Sequence, residues 1–203
     1  MRDGMPAARI AVDPSPEILA AIHEAGCAAA IWDRRLDADL LHALALLPPS
    51  NLPRLRACVA AADAGAAVDE ACTIAGAPAG GLRAALVADV AALARRFAAI
   101  MATGHLHLRL DVVTGDACRR FHCDMVTARL LCSYRGPGTE YGTARVGGDP
   151  DPVQRMATGA AGMFRGRLWP GAGCALVHRS PPIAGTGVVR LVLVIDAGDH
   201  GHG

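Results

Sequence analysis

Three side chains in the second half of the sequence, His122, Asp124 and His178, are of types that bind divalent metal ions. Two imidazoles and one carboxylate on one side of an ion form a ligand set of non-haem Fe(II) sites, which leaves the opposite side open. On a β-strand, the first and third residues of His122-Cys123-Asp124 point the same way, whereas Cys123 points to the other face and is not counted as a ligand. A distant strand then has to supply the third ligand. The sequence therefore predicts a metal site of His122, Asp124 and His178, with no catalytic residue beyond these ligands.

The segment that leads to this motif has the alternation of a half-buried β-strand. Leu106, Leu108, Leu110 and Val112 fall on one side of it, and Gly115 follows at a turn. Further strands are predicted within residues 118–134, 160–164, 173–178 and 188–195. Many short strands separated by Gly/Pro turns predict a sandwich or barrel with helices packed outside it.

The first half of the chain is rich in Ala and Leu and has mainly helical periodicity. Helices are predicted over residues 15–24, 37–47, 53–64, 68–74 and 80–101, with a short strand over residues 28–32. The predicted fold class is α+β. Residues 1–103 form a mainly helical part that packs on a β-barrel of residues 104–203, and the two parts together make one compact domain.

The composition excludes several classes of protein. The 203 residues carry a net charge of +1, which gives no reason to expect a nucleic acid or an anionic membrane as partner. The first residues do not have the pattern of a signal peptide, and no apolar run is long enough for a transmembrane helix. The 7 cysteines form no CxxC pair. Because their number is odd and no export signal is expected, reduced thiols and a cytoplasmic location are expected. The oligomeric state is left open.

The order of the chemical residues resembles that of the Fe(II)- and 2-oxoglutarate-dependent oxygenases. Those enzymes have a double-stranded β-helix, a cupin or jelly-roll-like barrel, with a His-x-Asp motif, a distal His and an Arg or Lys about ten residues later. The resemblance implies that His122, Asp124 and His178 hold Fe(II) and that Arg190 binds the far carboxylate of 2-oxoglutarate. It further implies an oxidoreductase that acts on a small molecule, whose identity the sequence does not give.

Two residues of the predicted second strand are further candidates for binding the cosubstrate. Arg129 carries a charge suited to an anion, and Tyr134 carries a hydroxyl that can donate to a carboxylate. Each also has a structural interpretation, since an Arg at a strand end often braces a turn and a core Tyr often has its hydroxyl satisfied by the protein. Arg190 has one too, as a partner of buried carbonyl groups or of Asp196.

Four longer blocks resemble the bacterial family known as domain of unknown function 1826. They are FHCD at residues 121–124, RLLCSYRGPGTE at 129–140, GRLWPG at 166–171 and HRSPPIAGTG at 178–187. Members of that family are often linked with zinc-homeostasis genes. The resemblance therefore implies, as an alternative, a non-catalytic zinc-binding protein in which water, Cys or Glu140 supplies a fourth ligand. A cupin-like isomerase or hydrolase that uses a metal-bound water is a third interpretation.

Overall fold

The computed structural model of the chain describes residues 7–171, 173 and 175–198. Within this part the α-helices are α1 (Ala38–Leu46), α2 (Ala64–Ile74) and α3 (Gly81–Met101), and the longest 3₁₀ helix is Pro16–His23. The strands are β1 (Arg9–Asp13), β2 (Cys27–Trp32), β3 (Leu55–Ala60), β4 (His105–Val113), β5 (Ala128–Arg135), β6 (Glu140–Thr143), β7 (Gln154–Arg155), β8 (Ala161–Arg165), β9 (Leu176–Arg179) and β10 (Arg190–Ala197). No helix of the described residues has the length and apolar character needed to cross a membrane.

The strands form two sheets that pack face to face. The larger sheet has 7 strands in the order β1-β2-β8-β5-β10-β4-β3, and the smaller has 3 in the order β7-β6-β9. Tyr141 and Leu176 of the small sheet share an apolar cluster with Leu131 and Val194 of the large one. The helices cover the other face of the large sheet. The α+β class and the double-stranded β-helix with helices packed outside it are confirmed.

Alternation along the central strands separates a helix-facing side from an inward side. On β4, Leu106, Leu108 and Leu110 are fully buried against the helices, as the sequence predicts. The intervening Arg109 and Asp111 face the space between the sheets, where they line a cavity. The same period places alternate residues of β5 and β10 in that space, and this is how the sheet delivers polar side chains to a candidate site.

The first half of the chain is less helical than its composition suggests, because it contributes three strands to the large sheet. The prediction of a helix over residues 53–64 is wrong in its first part, which forms β3 and pairs with β4 from Leu55 to Ala60. Leu55 and Val59 pack on the core while Arg56 is exposed. Hydrogen bonding to a neighbouring strand, which no local pattern records, outweighs the helix propensity of this segment. The sheet therefore crosses the division predicted between residues 103 and 104.

The two strongest helix predictions correspond to observed elements. α3 spans almost the whole predicted segment, and Leu86, Val90, Leu93 and Phe97 are buried on its inner face. α1 begins after Asp37, whose carboxylate accepts from the backbone N–H groups of the first turn.

Candidate metal centre

The predicted metal motif lies on a loop rather than on a strand. Between β4 and β5, only His122 makes a strand-like contact, an isolated antiparallel bridge to His178 of β9. The His122 N–H donates to His178 O at 3.0 Å, and the His178 N–H donates back to His122 O at 2.9 Å. The expectation that residues 122–124 form a strand is therefore wrong. The pair of backbone hydrogen bonds nevertheless fixes the two histidines side by side.

A second strand end holds the rest of the loop. The N–H groups of Arg167 and Gly166 donate to the carbonyl oxygens of Asp124 and Thr127, each at 2.8 Å. A Cβ atom on Gly166 would lie 1.9 Å from Val126 O, so only glycine permits this approach. The loop that carries Asp124 is thus clamped between β9 and the end of β8, which explains why the GRLWPG block accompanies the metal motif.

His122, Asp124 and His178 converge as the sequence predicts. One donor atom from each lies within 4.8 Å of the other two, close enough for one ion. The His122 Nε2 atom is 3.5 Å from Asp124 Oδ1, and the His178 Nε2 atom is 2.9 Å from Asp124 Oδ2. Cys123 contributes no atom to this group, and its Sγ donates instead to Arg165 O at 3.7 Å.

The two oxygens of the Asp124 carboxylate have different surroundings. Oδ1 forms an ion pair with Arg129, whose Nη1 lies 2.6 Å away, whereas Oδ2 is buried and accepts no hydrogen bond from the described residues. His178 Nε2 is near Oδ2 but is not aligned for a hydrogen bond. An anionic oxygen left this way is costly unless a cation takes the place of the missing donor. The donor set therefore fits a divalent metal bound through Oδ2 and the two imidazoles.

Electrostatics favour the charged forms of both Asp124 and His122, which helps the carboxylate and hinders the imidazole as metal ligands. Burial alone would raise the pKa of Asp124, but the two imidazoles and the Arg129 guanidinium outweigh it and hold the pKa well below its usual range. The interaction of His122 with Asp124 raises the pKa of the imidazole above its ordinary value, in spite of partial burial. A metal ion therefore competes with protonation of His122 more strongly than it would at an ordinary histidine.

Neighbouring groups also set the orientation of both imidazole rings. The His122 Nδ1–H donates to Arg120 O at 2.8 Å, which leaves Nε2 as the donor atom for a metal. The His178 ring packs between His122 and Phe164, with centroid distances of 4.9 and 5.0 Å. Both rings are therefore oriented by the protein before any ion arrives.

Arg129 links the metal site to the large sheet. Its guanidinium makes two hydrogen bonds to the Asp196 carboxylate, both at 2.7 Å, in addition to the contact with Asp124. All three side chains are largely buried, with exposed fractions of 16% for Arg129 and 12% for each aspartate. Arg129, predicted as a candidate for binding the cosubstrate, lines the cavity, but its charge is already shared between two carboxylates of the protein.

We expect Arg129→Met to lower the free energy of unfolding of the metal-free protein by about 3 kcal/mol, because two buried carboxylates lose their cation. Metal affinity is expected to fall about tenfold or more, since Asp124 is no longer held in place. Urea unfolding and metal titration measure the two effects. Arg95→Met, on the exposed side of α3, is the matched control, and a change below about 0.5 kcal/mol in Arg129→Met would contradict the assignment.

Arg190 is fully buried on the inward side of β10. Its guanidinium donates to Pro137 O at 2.8 Å, to Ser180 Oγ at 2.9 Å and to Ser133 Oγ at 3.1 Å. All three acceptors are neutral, and no described carboxylate forms an ion pair with it. Burial lowers the pKa of Arg190 to about 10. Ser180 lines the cavity that contains His178, so Arg190 lies directly behind the cavity wall.

A glycine makes room for this arginine. Gly136 has φ of +74°, and a Cβ there would lie 2.8 Å from Arg190 Cγ and 2.9 Å from Val189 O. A side chain at this position would therefore both strain the turn and push Arg190 from its place. The Gly-Pro-Gly turn after β5 is thus a requirement of the Arg190 position.

Two other candidates lie elsewhere. Tyr134 is on the helix-facing side of β5, where its hydroxyl donates to Asp89 of α3 at 2.5 Å. It is not among the residues that line the cavity. Glu140, considered as a fourth metal ligand, forms ion pairs with Arg155 and Arg179 and is not part of the metal-ligating group.

Sequence reasoning missed the serines that contact Arg190 and the pairing of Arg129 with Asp196. Ser133 had a usable signal, because strand alternation from Arg129 places Leu131 and Ser133 on the same face of β5. The pairing of Arg129 with Asp196 had no signal in the sequence, since Asp196 lies 67 residues away and only the strand register brings the two together.

The cavity beside the triad of His122, Asp124 and His178 has a volume of about 490 Å³, which is within the range of small-molecule sites. One side of it carries His122, His178 and Arg129, and its floor carries Leu131, Val192 and Val194. The cavity therefore offers a metal site at one end of an apolar floor, which suits an organic ligand held next to an ion.

Comparison with known proteins agrees with this architecture. A profile of the family described as Protein of unknown function (DUF1826) matches residues 13–196. A search of curated proteins by sequence finds no match.

Solved structures resemble the chain in fold. A protein from Shewanella oneidensis assigned as an oxygenase is 12% identical, with a TM-score of 0.51 over 95% of this chain and 90% of that one. The dioxygenase for auxin oxidation of rice is 14% identical, with a TM-score of 0.50 over 96% of this chain and 83% of that one. A Burkholderia pseudomallei oxidoreductase of the 2OG-Fe(II) oxygenase family is 15% identical, with a TM-score of 0.43 over 95% and 99%. The similarity to the first two supports a common fold.

Proposed function

This chain belongs to the DUF1826 family of proteins of unknown function, and we propose that it is an oxidoreductase that uses Fe(II) and 2-oxoglutarate to oxidise a small organic molecule. His122, Asp124 and His178 would hold the metal, and Arg190 would bind the far carboxylate of 2-oxoglutarate. The fold supports this proposal, because solved structures of the same fold include oxygenases.

The donor set favours a metal that keeps open positions. Two imidazoles and the Asp124 Oδ2 atom are three ligands, and no further His, Cys, Asp or Glu joins the group within the described residues. Three protein ligands leave room for small molecules on the metal, whereas structural zinc sites are usually closed by four. The arrangement is therefore one for binding ligands at the ion.

The observation that carries the proposal is the buried, unpaired guanidinium of Arg190. A fully buried cation is normally matched by an anion, because its desolvation is costly. Here its described partners are two serine hydroxyls and one carbonyl oxygen. A carboxylate at the cavity wall next to Ser180 would supply the missing charge and could accept two parallel hydrogen bonds from a guanidinium. A dicarboxylic cosubstrate that also reaches the metal meets this requirement.

The chain's own residues divide the remaining tasks. Arg129 holds Asp124, and Ser133 and Ser180 orient Arg190. The apolar floor of the cavity would pack against the body of a bound substrate. Fe(II) with 2-oxoglutarate and O₂, when bound, would supply the oxidising chemistry. We leave Tyr134 out of this assignment because its hydroxyl is already bound to Asp89.

The alternative, a non-catalytic zinc-binding protein, shares the same three ligands. The two functions differ in the role of Arg190, which an oxygenase would need for binding 2-oxoglutarate and a zinc-binding protein would not need. A zinc protein would bind its ion without any effect of 2-oxoglutarate, and this difference separates the two functions experimentally.

We expect the purified protein, loaded with Fe(II) and supplied with ascorbate as the two-electron reductant in place of the unidentified substrate, to convert 2-oxoglutarate and O₂ to succinate, CO₂ and water. It is expected to bind 2-oxoglutarate only when a metal is present. Succinate measurement and calorimetry of the Fe(II)-, Mn(II)- and Zn(II)-loaded protein test this directly. Tight retention of zinc without any binding of 2-oxoglutarate would overturn the oxygenase proposal in favour of the alternative.

A further inference from the structure

Two arginines stand opposite each other at the far edge of the same cavity. Arg56 of β3 and Arg109 of β4 are direct partners in the antiparallel register, and both line the cavity that contains His122 and His178. Their neighbours Leu55 and Leu110 pack on the helix side, so alternation places both arginines on the inward side. The β3–β4 side of the cavity therefore carries two cations and one carboxylate, that of Asp111, with a net positive charge.

The protein does little to neutralise these two charges. Among the described residues, the one carboxylate in an ion pair with Arg109 is that of Asp111, with Oδ2 at 4.0 Å from Nη1. Arg56 makes no ion pair or side-chain hydrogen bond with any described residue. Like charges directly opposite each other on neighbouring strands are destabilising. The pair therefore has a cost in the free protein that an anion bound between the two guanidinium groups would remove.

The floor between this pair and the metal site is apolar. Val194 of β10 pairs with Leu131 of β5 on one side and with Arg109 of β4 on the other. A row of paired residues thus crosses four strands of the sheet, from Leu131 through Val194 and Arg109 to Arg56. Arg129, which contacts Asp124, lies two residues from Leu131 on the same face of β5. A ligand on this floor meets the metal at one end and two cations at the other.

From this arrangement we propose that Arg56 and Arg109 bind an anionic group of the substrate, so that the substrate is a small organic carboxylate or phosphate with an apolar body. The inference rests on the proposed function, since it takes the metal end of the cavity as the reacting end. It adds a second anion site, distinct from Arg190 in position. Arg190 lies beyond Ser180 and is fully buried, whereas Arg56 is exposed at the sheet edge.

The test is a binding measurement on the full chain with simple probes. Phenylacetate and phenyl phosphate carry an anionic group on an apolar body, and phenylacetamide is the uncharged control. Calorimetry is done on the metal-free protein and again on the Mn(II)-loaded protein with saturating 2-oxoglutarate. We expect at least one anion to bind at least about tenfold more tightly than the amide, as charged hydrogen bonds require. The anion that binds more tightly identifies the head group.

Variants assign the binding to the arginine pair. Arg56→Gln with Arg109→Gln is expected to weaken anion binding about tenfold or more, and each single change about threefold, without altering metal affinity. Arg95→Gln removes one exposed charge from α3 and is expected to bind as the wild type does. Equal binding of anion and amide, or unchanged binding in the double variant, would overturn the proposal. So would competition between the probe and 2-oxoglutarate in the wild type, because the pair would then be the cosubstrate site.

The two proposals fail separately. If the protein binds anions through Arg56 and Arg109 but cannot be loaded with a metal, the anion site is supported and the oxygenase function is not. If metal and 2-oxoglutarate bind but the probes ignore the arginine pair, the function stands and the assignment of an anionic substrate is wrong.

Discussion

His178→Ala is expected to bind Fe(II), Mn(II) and Zn(II) at least about a hundredfold more weakly than the wild type, because loss of a ligand costs at least as much as loss of the groups that orient one. The Nε2 atom of the buried His178 ring lies 2.9 Å from Asp124 Oδ2. Among the described residues, no fourth His, Cys, Asp or Glu joins the metal-ligating group to replace it. Calorimetric titration and metal analysis of the purified variants measure the loss.

Two further variants separate loss of the ligand from loss of the fold. Asp124→Asn keeps the size of the side chain but removes the anionic oxygen, so a similar loss of metal affinity is expected. His42→Ala removes an exposed imidazole from α1 and is expected to leave metal binding unchanged. Wild-type affinity in a folded His178→Ala protein would show that the three groups do not form the metal site.

The second large effect concerns Arg190. We expect 2-oxoglutarate at about a hundred times its dissociation constant to raise the free energy of unfolding of the metal-loaded wild type by about 2.7 kcal/mol. The Arg190→Met protein is expected to show no such stabilisation at the same concentration, because the far carboxylate has lost its cation. Thermal unfolding with and without 2-oxoglutarate measures the difference, and calorimetry measures affinity directly.

A charge-conserving variant sharpens this result. Arg190→Lys keeps a cation but not the planar fork, so it is expected to bind 2-oxoglutarate more weakly than the wild type and more tightly than Arg190→Met. Metal affinity is expected to stay within about threefold in both variants, since Arg190 contacts none of the three ligands. If 2-oxoglutarate stabilises Arg190→Met as much as the wild type, Arg190 is a structural residue of the barrel.

In the proposed function, the residues for the two ends of 2-oxoglutarate come from different parts of the chain. The metal end is built by the loop between β4 and β5 and by β9, whereas Arg190 comes from β10 and depends on the turn at Gly136. A protein that loses Arg190 is therefore expected to keep its metal affinity, which a protein that fails to fold would not do.

The sequence by itself determined the elements with strong local periodicity and the three residues proposed as metal ligands. The leucines of β4 alternate with polar residues over the whole strand, and α3 repeats its apolar residues over 21 positions. Such patterns are properties of neighbouring residues, so they can be found without knowing the fold. The family blocks around His122 and His178 identified the triad, although they did not show that the motif lies on a loop.

The tertiary structure decided everything that depends on which strands become neighbours. Residues 55–60 have helix-forming composition, yet they form β3 because β4 offers hydrogen bonds. Arg129 faces Asp196 and Tyr134 faces Asp89 for the same reason, since register and sheet face set the partner. The opposition of Arg56 and Arg109 follows from the β3–β4 pairing alone. Contacts between residues distant in the chain arise from strand order and register, and these come from the burial of the whole core rather than from any one segment.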